Sequence, residues 1–178
     1  METKYKSTPQ NTKKYIDTKN RTIIHYISTK TEDRNGEIMN PKGCDAEEFL
    51  KNPVVFFAHR SNELPIGKCE LLEIKETGII AKTKFYDSEF AREIFKMNTE
   101  GFLNSWSIGF TITEPPEIRE GKVYINKWKL LEYSSVPIPA NPECNNLILK
   151  GLFLNKKMND LKVLKIKNKL EQLKFKVN

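Results

Sequence analysis

The chain has 178 residues, 38% of them hydrophobic and 30% charged, enough for one domain with its own core. Its net charge of +7 sits at the ends: residues 151–178 hold eight lysines against Asp160 and Glu171, and residues 1–20 hold five against Glu2 and Asp17. Three cysteines at long spacings (Cys44, Cys69, Cys144) argue against a disulfide framework or a zinc knuckle, and no apolar run resembles a membrane span or an export signal.

In chain order, residues 1–20 are rich in Lys, Thr and Asn and read as a mobile basic tail. A globular domain is expected over 21–150. It starts with a strand at Thr22–Ile27 and a turn at Thr31–Gly36 that carries the Asn-Gly signature. Asp45 is placed to cap a short helix, with Glu48 at the capping-box spacing and Phe49 and Leu50 inward. Asn52-Pro53 stops that helix, because proline disfavours helix at the residue before it. Val54–His59 is apolar up to its last residue, as a strand covered on both faces would be. Lys68–Ile74 and Ile79–Tyr86 form a hairpin across Lys75–Gly78.

Asp87 or Ser88 then caps a helix whose buried stripe is Phe90, Ala91, Ile94 and Phe95, and Gly101 stands where a C-cap belongs. Strands follow at 106–113, 122–129 and 130–137, with Pro115-Pro116 after the first and a proline-stiffened exit at Val136–Pro142. About seven strands with two short helices make a β-rich α+β fold, a barrel or a sandwich. From 151 onward, Val163, Ile166, Leu170, Leu173 and Val177 step by three and four along a lysine-rich amphipathic helix or tail.

The chemistry centres on Asn104–Phe110. Alternation puts Ser105, Ser107 and Gly109 on one strand face, and Gly109 leaves room beside Ser107 for another backbone or a substrate. A serine hydroxyl is a poor nucleophile until a base takes its proton, and histidine suits that near neutral pH. There are two histidines. His25 lies inside an alternating strand, whereas His59 ends a strand at a loop, where a base is both held and reachable. A third group should orient the imidazole. Glu132 is the candidate, a carboxylate in an otherwise apolar strand where an unpaired charge is costly, and Asp33 is the reserve.

Several blocks recur in this order: Ser28-Thr29, Asp33–Ile38, Phe49–Val55, Ala58-His59, Pro65–Gly67, Ser107–Phe110, Leu131–Ser134, Val136-Pro137 and Pro139–Pro142. Together, over residues 22–145, they resemble the prohead (capsid maturation) serine protease family of tailed bacteriophages, which is related in fold to herpesvirus assemblin. The resemblance implies an assemblin-like barrel of about seven mostly antiparallel strands with a few flanking helices. It also implies a serine endopeptidase, packaged in the immature prohead within the host bacterial cytoplasm, that trims scaffold segments and the major capsid protein and cleaves itself.

The family histidine falls on His59 and its nucleophile on Ser107 of the Ser-x-Gly-Phe motif. Assemblin uses a later histidine as third member. None follows Ser107 here, so Glu132 takes that place by position. Assemblin also uses an arginine pair near the oxyanion site, which this chain lacks; backbone N–H groups around Ser107–Gly109, those of Ile108 and Gly109, are the expected donors here. The assemblin likeness implies a homodimer. No cofactor or metal is implied.

Two other readings stand beside this one. Ser105 would point the same way as Ser107 but lacks the motif. A capsid-assembly or scaffolding protein with the same fold and no cleavage is suggested by the basic ends and the C-terminal seam. Nucleic acid would be met only nonspecifically through the lysines, because the aromatics keep core spacing. A substrate would lie extended along an edge strand near the site.

Overall fold

Strands dominate the computed structural model, which describes residues 15–147. They are β1 (Ile16–Asp17), β2 (Thr22–Thr29), β3 (Glu37–Met39), β4 (Cys44–Asp45), β5 (Val54–Phe57), β6 (Gly67–Lys75), β7 (Gly78–Phe85), β8 (Ser105–Ile112), β9 (Glu117–Arg119), β10 (Lys122–Ile125) and β11 (Trp128–Val136). A 3-10 turn at Pro41–Gly43 and two α-helices, α1 (Glu47–Lys51) and α2 (Glu89–Glu100), interrupt them among the described residues. The amphipathic seam from Val163 to Val177 and residues 1–14 of the basic tail lie outside the described residues, while Ile16 and Asp17, read as part of that tail, form β1 against β2.

The main sheet runs β1-β2-β7-β6-β5-β11-β4, with β8 pairing to β11. Most of its pairs are antiparallel, but β5 and β4 both run parallel to β11, so the sheet is mixed. It does not close into the expected barrel. Between β2 and β8 there is no ladder; the short segment Asn145-Asn146 spans the gap through isolated bridges to Ser105 and His25. A second, three-stranded sheet carries β10 between β3, parallel to it, and β9, antiparallel.

Boundaries moved where local signals competed. The two strands expected at 122–129 and 130–137 are instead a β9–β10 hairpin and one long β11, because the turn falls at Asn126-Lys127. Asp45 accepts the Glu47 N–H from just outside α1, and Ala46 occupies the cap position without a side-chain bond. Glu48 completes no capping box; it ion-pairs with Lys129. Phe49 is buried as expected, but Leu50 and, on α2, Phe90 are exposed. Ser88 caps α2 by accepting the Ala91 N–H, and Gly101 ends it at φ 86° in the left-handed region that glycine adopts without strain.

The core gathers Ile23, Val55, Ile79, Phe85, Trp106 and Tyr133 of the main sheet with Phe49 of α1 and Ala91, Ile94 and Phe95 of α2. His25 belongs to it. Its ring stacks on Trp106 with centroids 3.4 Å apart, Nε2 meets Thr83 Oγ1 at 2.8 Å, and Thr83 Oγ1 in turn meets the Tyr133 hydroxyl at 2.8 Å. His25 Nδ1 has no partner among the described residues. Burial pushes this imidazole well below the ordinary histidine value of 6.5.

The unfolded chain therefore binds its proton more readily than the folded one, and stability falls as pH drops below about 6.5. The expected slope from this one group is at most about 1.4 kcal/mol per pH unit. Urea midpoints measured from pH 7.5 to 5 should show it, and His25→Gln should flatten it; an unchanged slope in the variant would assign the effect elsewhere.

Candidate active site

β11 carries the acid, and an irregularity in its ladder decides where the acid points. Trp128 and Leu130 are fully buried, so an unbroken alternation would send Glu132 into the core with them. The register slips between Leu130 and Glu132 instead, leaving Leu131 as the extra, 52% exposed residue. Such a bulge flips the phase of the strand. Tyr133 now takes the core face and Glu132 the outer one, its side chain 13% exposed.

Glu132 stands opposite Gly109 across the β8–β11 ladder, and Ser134 stands opposite Ser107. Opposed residues share a face, with Cβ atoms roughly 4.5–5.5 Å apart. Glu132, Ser134, Ser107 and Gly109 therefore form one patch on the outer side of the sheet. Gly109 is required there because a Cβ on it would lie 2.5 Å from Glu132 Oε1. The missing side chain is filled by the carboxylate.

His59 reaches this patch from the other side of β11. β5 ends at Phe57, and Ala58 and His59 then both take left-handed backbone conformations, with φ of 54° and 60°. Neither is a glycine, so the turn is strained. Two bonds to β11 hold it: Ala58 N–H donates to the Ser135 carbonyl at 2.9 Å and His59 N–H to Ser134 Oγ at 3.2 Å. The imidazole Nδ1 then meets Glu132 Oε1 at 2.6 Å. Ser134 Oγ donates to the other carboxylate oxygen at 2.7 Å.

His59 and Glu132 are thus in contact, and Ser107 shares their face one strand over. No hydrogen bond joins His59 to the Ser107 hydroxyl in this structure. In a site without substrate such bonds are often long and tighten only in the complex. With Nδ1 on the carboxylate, Nε2 is the ring nitrogen left to face a hydroxyl.

The reserve and rival residues are otherwise engaged. Asp33 Oδ1 accepts the N–H groups of Asn35 and Glu37, so its carboxylate holds its own turn together. The Ser105 hydroxyl is shared between Asn104 and Asn145. Burial, with a smaller push from Asp45, raises the Cys44 thiol to about 12, and burial also raises Cys69, leaving both as protonated, unreactive groups. Among the described residues no three His, Cys, Asp or Glu side chains converge to hold a metal ion.

On the side of β8 away from β11 lies a cavity of about 50 Å³, lined by Ser107, Ile108, Ser28, Asp33 and Asn141 among others. Its walls are tied together across the chain. Arg34 donates to the carbonyls of Pro139 and Ala140, and Asn141 Nδ2 donates to Thr29 Oγ1 at 2.9 Å. Two motif blocks more than a hundred residues apart therefore build one wall beside Ser107. The Trp106 N–H is taken by the Cys144 carbonyl, away from β11. Alternation then turns the Ile108 N–H to that same side, toward the cavity, and the Gly109 N–H toward β11.

The pattern that describes caudovirus prohead serine proteases matches residues 10–156. The chain belongs to that family. Among its relatives, the Prohead protease of Enterobacteria phage HK97 is 26% identical over 126 residues, covering 67% of this chain and 56% of that protein. The Capsid polyprotein of Pseudomonas phage PAJU2 is 26% identical over 148 residues, covering 78% of this chain and 21% of that protein. The chain thus spans about a fifth of one relative and just over half of the other. No solved structure matches it.

Ser134 is the site residue that sequence reasoning missed. The available signal was the Ser134-Ser135 pair next to Tyr133 and Val136, where a buried hydroxyl must find partners. For this prohead protease family member, Gly109→Ala is expected to push the Glu132 carboxylate off His59 and slow peptide cleavage by up to roughly 10⁴-fold, as losing the acid that orients the imidazole does. The melting temperature should also fall, since the displaced carboxylate leaves the buried Ser134 hydroxyl without its acceptor. Cleavage at the wild-type rate would mean that the carboxylate contact is dispensable.

Proposed function

We propose that this chain is a serine endopeptidase that cleaves scaffold segments and the major capsid protein during phage prohead maturation, and cleaves itself. The observation that carries the reading is the 2.6 Å contact between His59 Nδ1 and Glu132 Oε1, on the same face as Ser107. Glu132 holds the imidazole with Nε2 toward the hydroxyl. His59 takes the Ser107 proton as the hydroxyl oxygen attacks the peptide carbonyl, then returns it to the departing amine. Water, deprotonated by the same imidazole, hydrolyses the resulting ester and frees Ser107.

The negative charge on the tetrahedral intermediate needs a donor beside Ser107. The Ile108 N–H suits this best, since it turns to the cavity side, while the Gly109 N–H turns toward β11. Work inside the prohead accords with the family. No helix among the described residues is long and apolar enough to cross a membrane.

The direct test is co-expression with the phage's own major capsid protein, followed by mass spectrometry of the products. The wild-type chain should generate new capsid-protein N-termini, and Ser107→Ala should leave the substrate whole. Capsid protein left intact by the wild-type chain, yet assembled into shells only in its presence, would support the non-cleaving assembly role instead.

A further inference from the structure

The Ser134 hydroxyl sits at a junction. A hydroxyl has one proton to give and two lone pairs to receive with. Ser134 gives its proton to Glu132 Oε2 at 2.7 Å and receives the His59 N–H at 3.2 Å. It therefore touches both halves of the His59–Glu132 pair, the carboxylate through its side chain and the histidine through its backbone. It is fully buried, so water cannot substitute for either bond. It also faces Ser107 directly across the ladder.

We infer that Ser134 is a positioning residue that sets the geometry of the His59–Glu132 pair, an inference that rests on the protease reading for its catalytic consequence. Two degrees of freedom need control. The Glu132 carboxylate can rotate about its last bond, and the bond from Ser134 to Oε2 fixes the plane in which Oε1 meets Nδ1. The Ala58-His59 turn is strained and depends on its ties to β11. Ser134 supplies one of the two, and that one belongs to the histidine itself.

Ser135 offers an internal control. It is equally buried in the same strand, and its Oγ accepts a bond from Asn98 Nδ2 at 3.2 Å on the core side, away from the pair. Ser135→Ala removes a buried hydrogen bond without touching His59 or Glu132. A purely structural role for Ser134 would make the two alanine variants behave alike.

The experiment compares wild type, Ser134→Ala, Ser134→Thr and Ser135→Ala by two readouts. The first is the rate at which a fluorophosphonate probe modifies Ser107, followed by mass spectrometry, with KM and kcat for a capsid-derived peptide alongside. The second is the tautomer of the His59 ring, read from its nitrogen chemical shifts, which needs no activity. Ser134→Ala should slow labelling and kcat on the order of 10- to 100-fold with KM unchanged, as expected for a lost bond to a charged group. It should also turn a single Nδ1–H tautomer into a mixture. Ser134→Thr, which keeps the hydroxyl, should restore most of both, and Ser135→Ala should leave both within about twofold.

A Ser134→Ala variant with wild-type labelling and a wild-type tautomer overturns the inference, as does a Ser135→Ala variant that matches it in both. If the probe never labels Ser107 but the tautomer still changes in Ser134→Ala alone, the positioning role stands and the protease reading fails.

Discussion

Ser107→Ala is expected to lower the rate of peptide cleavage by about a million-fold, and His59→Ala by a comparable factor. On the proposed reading the two act on one proton transfer. Without the hydroxyl there is no nucleophile to activate, and without the imidazole nothing takes its proton. The double variant should therefore be no slower than either single one. Rates of capsid-peptide hydrolysis for the three variants, measured at the same pH, test this. If the losses multiply, the two residues work independently and do not form the unit that the shared face suggests.

Glu132→Gln is expected to cost roughly 10⁴-fold in kcat with little change in stability. The amide is nearly the same shape, so it can keep the bond from Ser134 and still fill the space beside Gly109. It cannot offset the charge that His59 would gain in taking the Ser107 proton on the proposed mechanism. It can also turn an N–H toward Nδ1 and favour the wrong tautomer. Asp33→Asn is the comparison. Its carboxylate accepts two backbone N–H groups of its own turn, a task an amide oxygen can share, so kcat should stay within a few-fold of wild type. A reversed order of effects, measured on the same peptide, would move the acid's role from β11 to the 33–37 turn.

Much of the fold was legible because it depends on local signals. The β6–β7 hairpin, the Ser88 cap and Gly101 C-cap of α2, and the stop before Pro53 each follow from a few adjacent residues. Leu50 and Phe90 were misjudged for the opposite reason: an apolar residue at a helical spacing is buried only if a neighbour covers that side. The barrel failed to close for a similar cause. Strand patterns in β2 and β8 do not reveal that Cys144–Asn146 takes up hydrogen bonds between them.

Candidate chemistry was legible as residue types. A histidine at a strand end, a serine beside a glycine and a carboxylate in β11 could be paired as base, nucleophile and orienting acid from their chemistry and the family motifs. The local geometry was not legible, since alternation counted along β11 puts Glu132 on the same side as Trp128 and Leu130.

What the amino-acid order determined by itself was the inventory: the strands and helices, the motif blocks of the family, and the three residue types able to share a proton. What only the tertiary structure decided was the outward turn of Glu132 at the Leu131 bulge, the space beside Gly109 that admits its carboxylate, and the Ser134 hydroxyl that joins acid to histidine. The physical reason is that hydrogen bonds between strands, and the close approach of side chains across them, depend on register. Register is set by the whole sheet, whereas propensity and capping are set by neighbours in the chain.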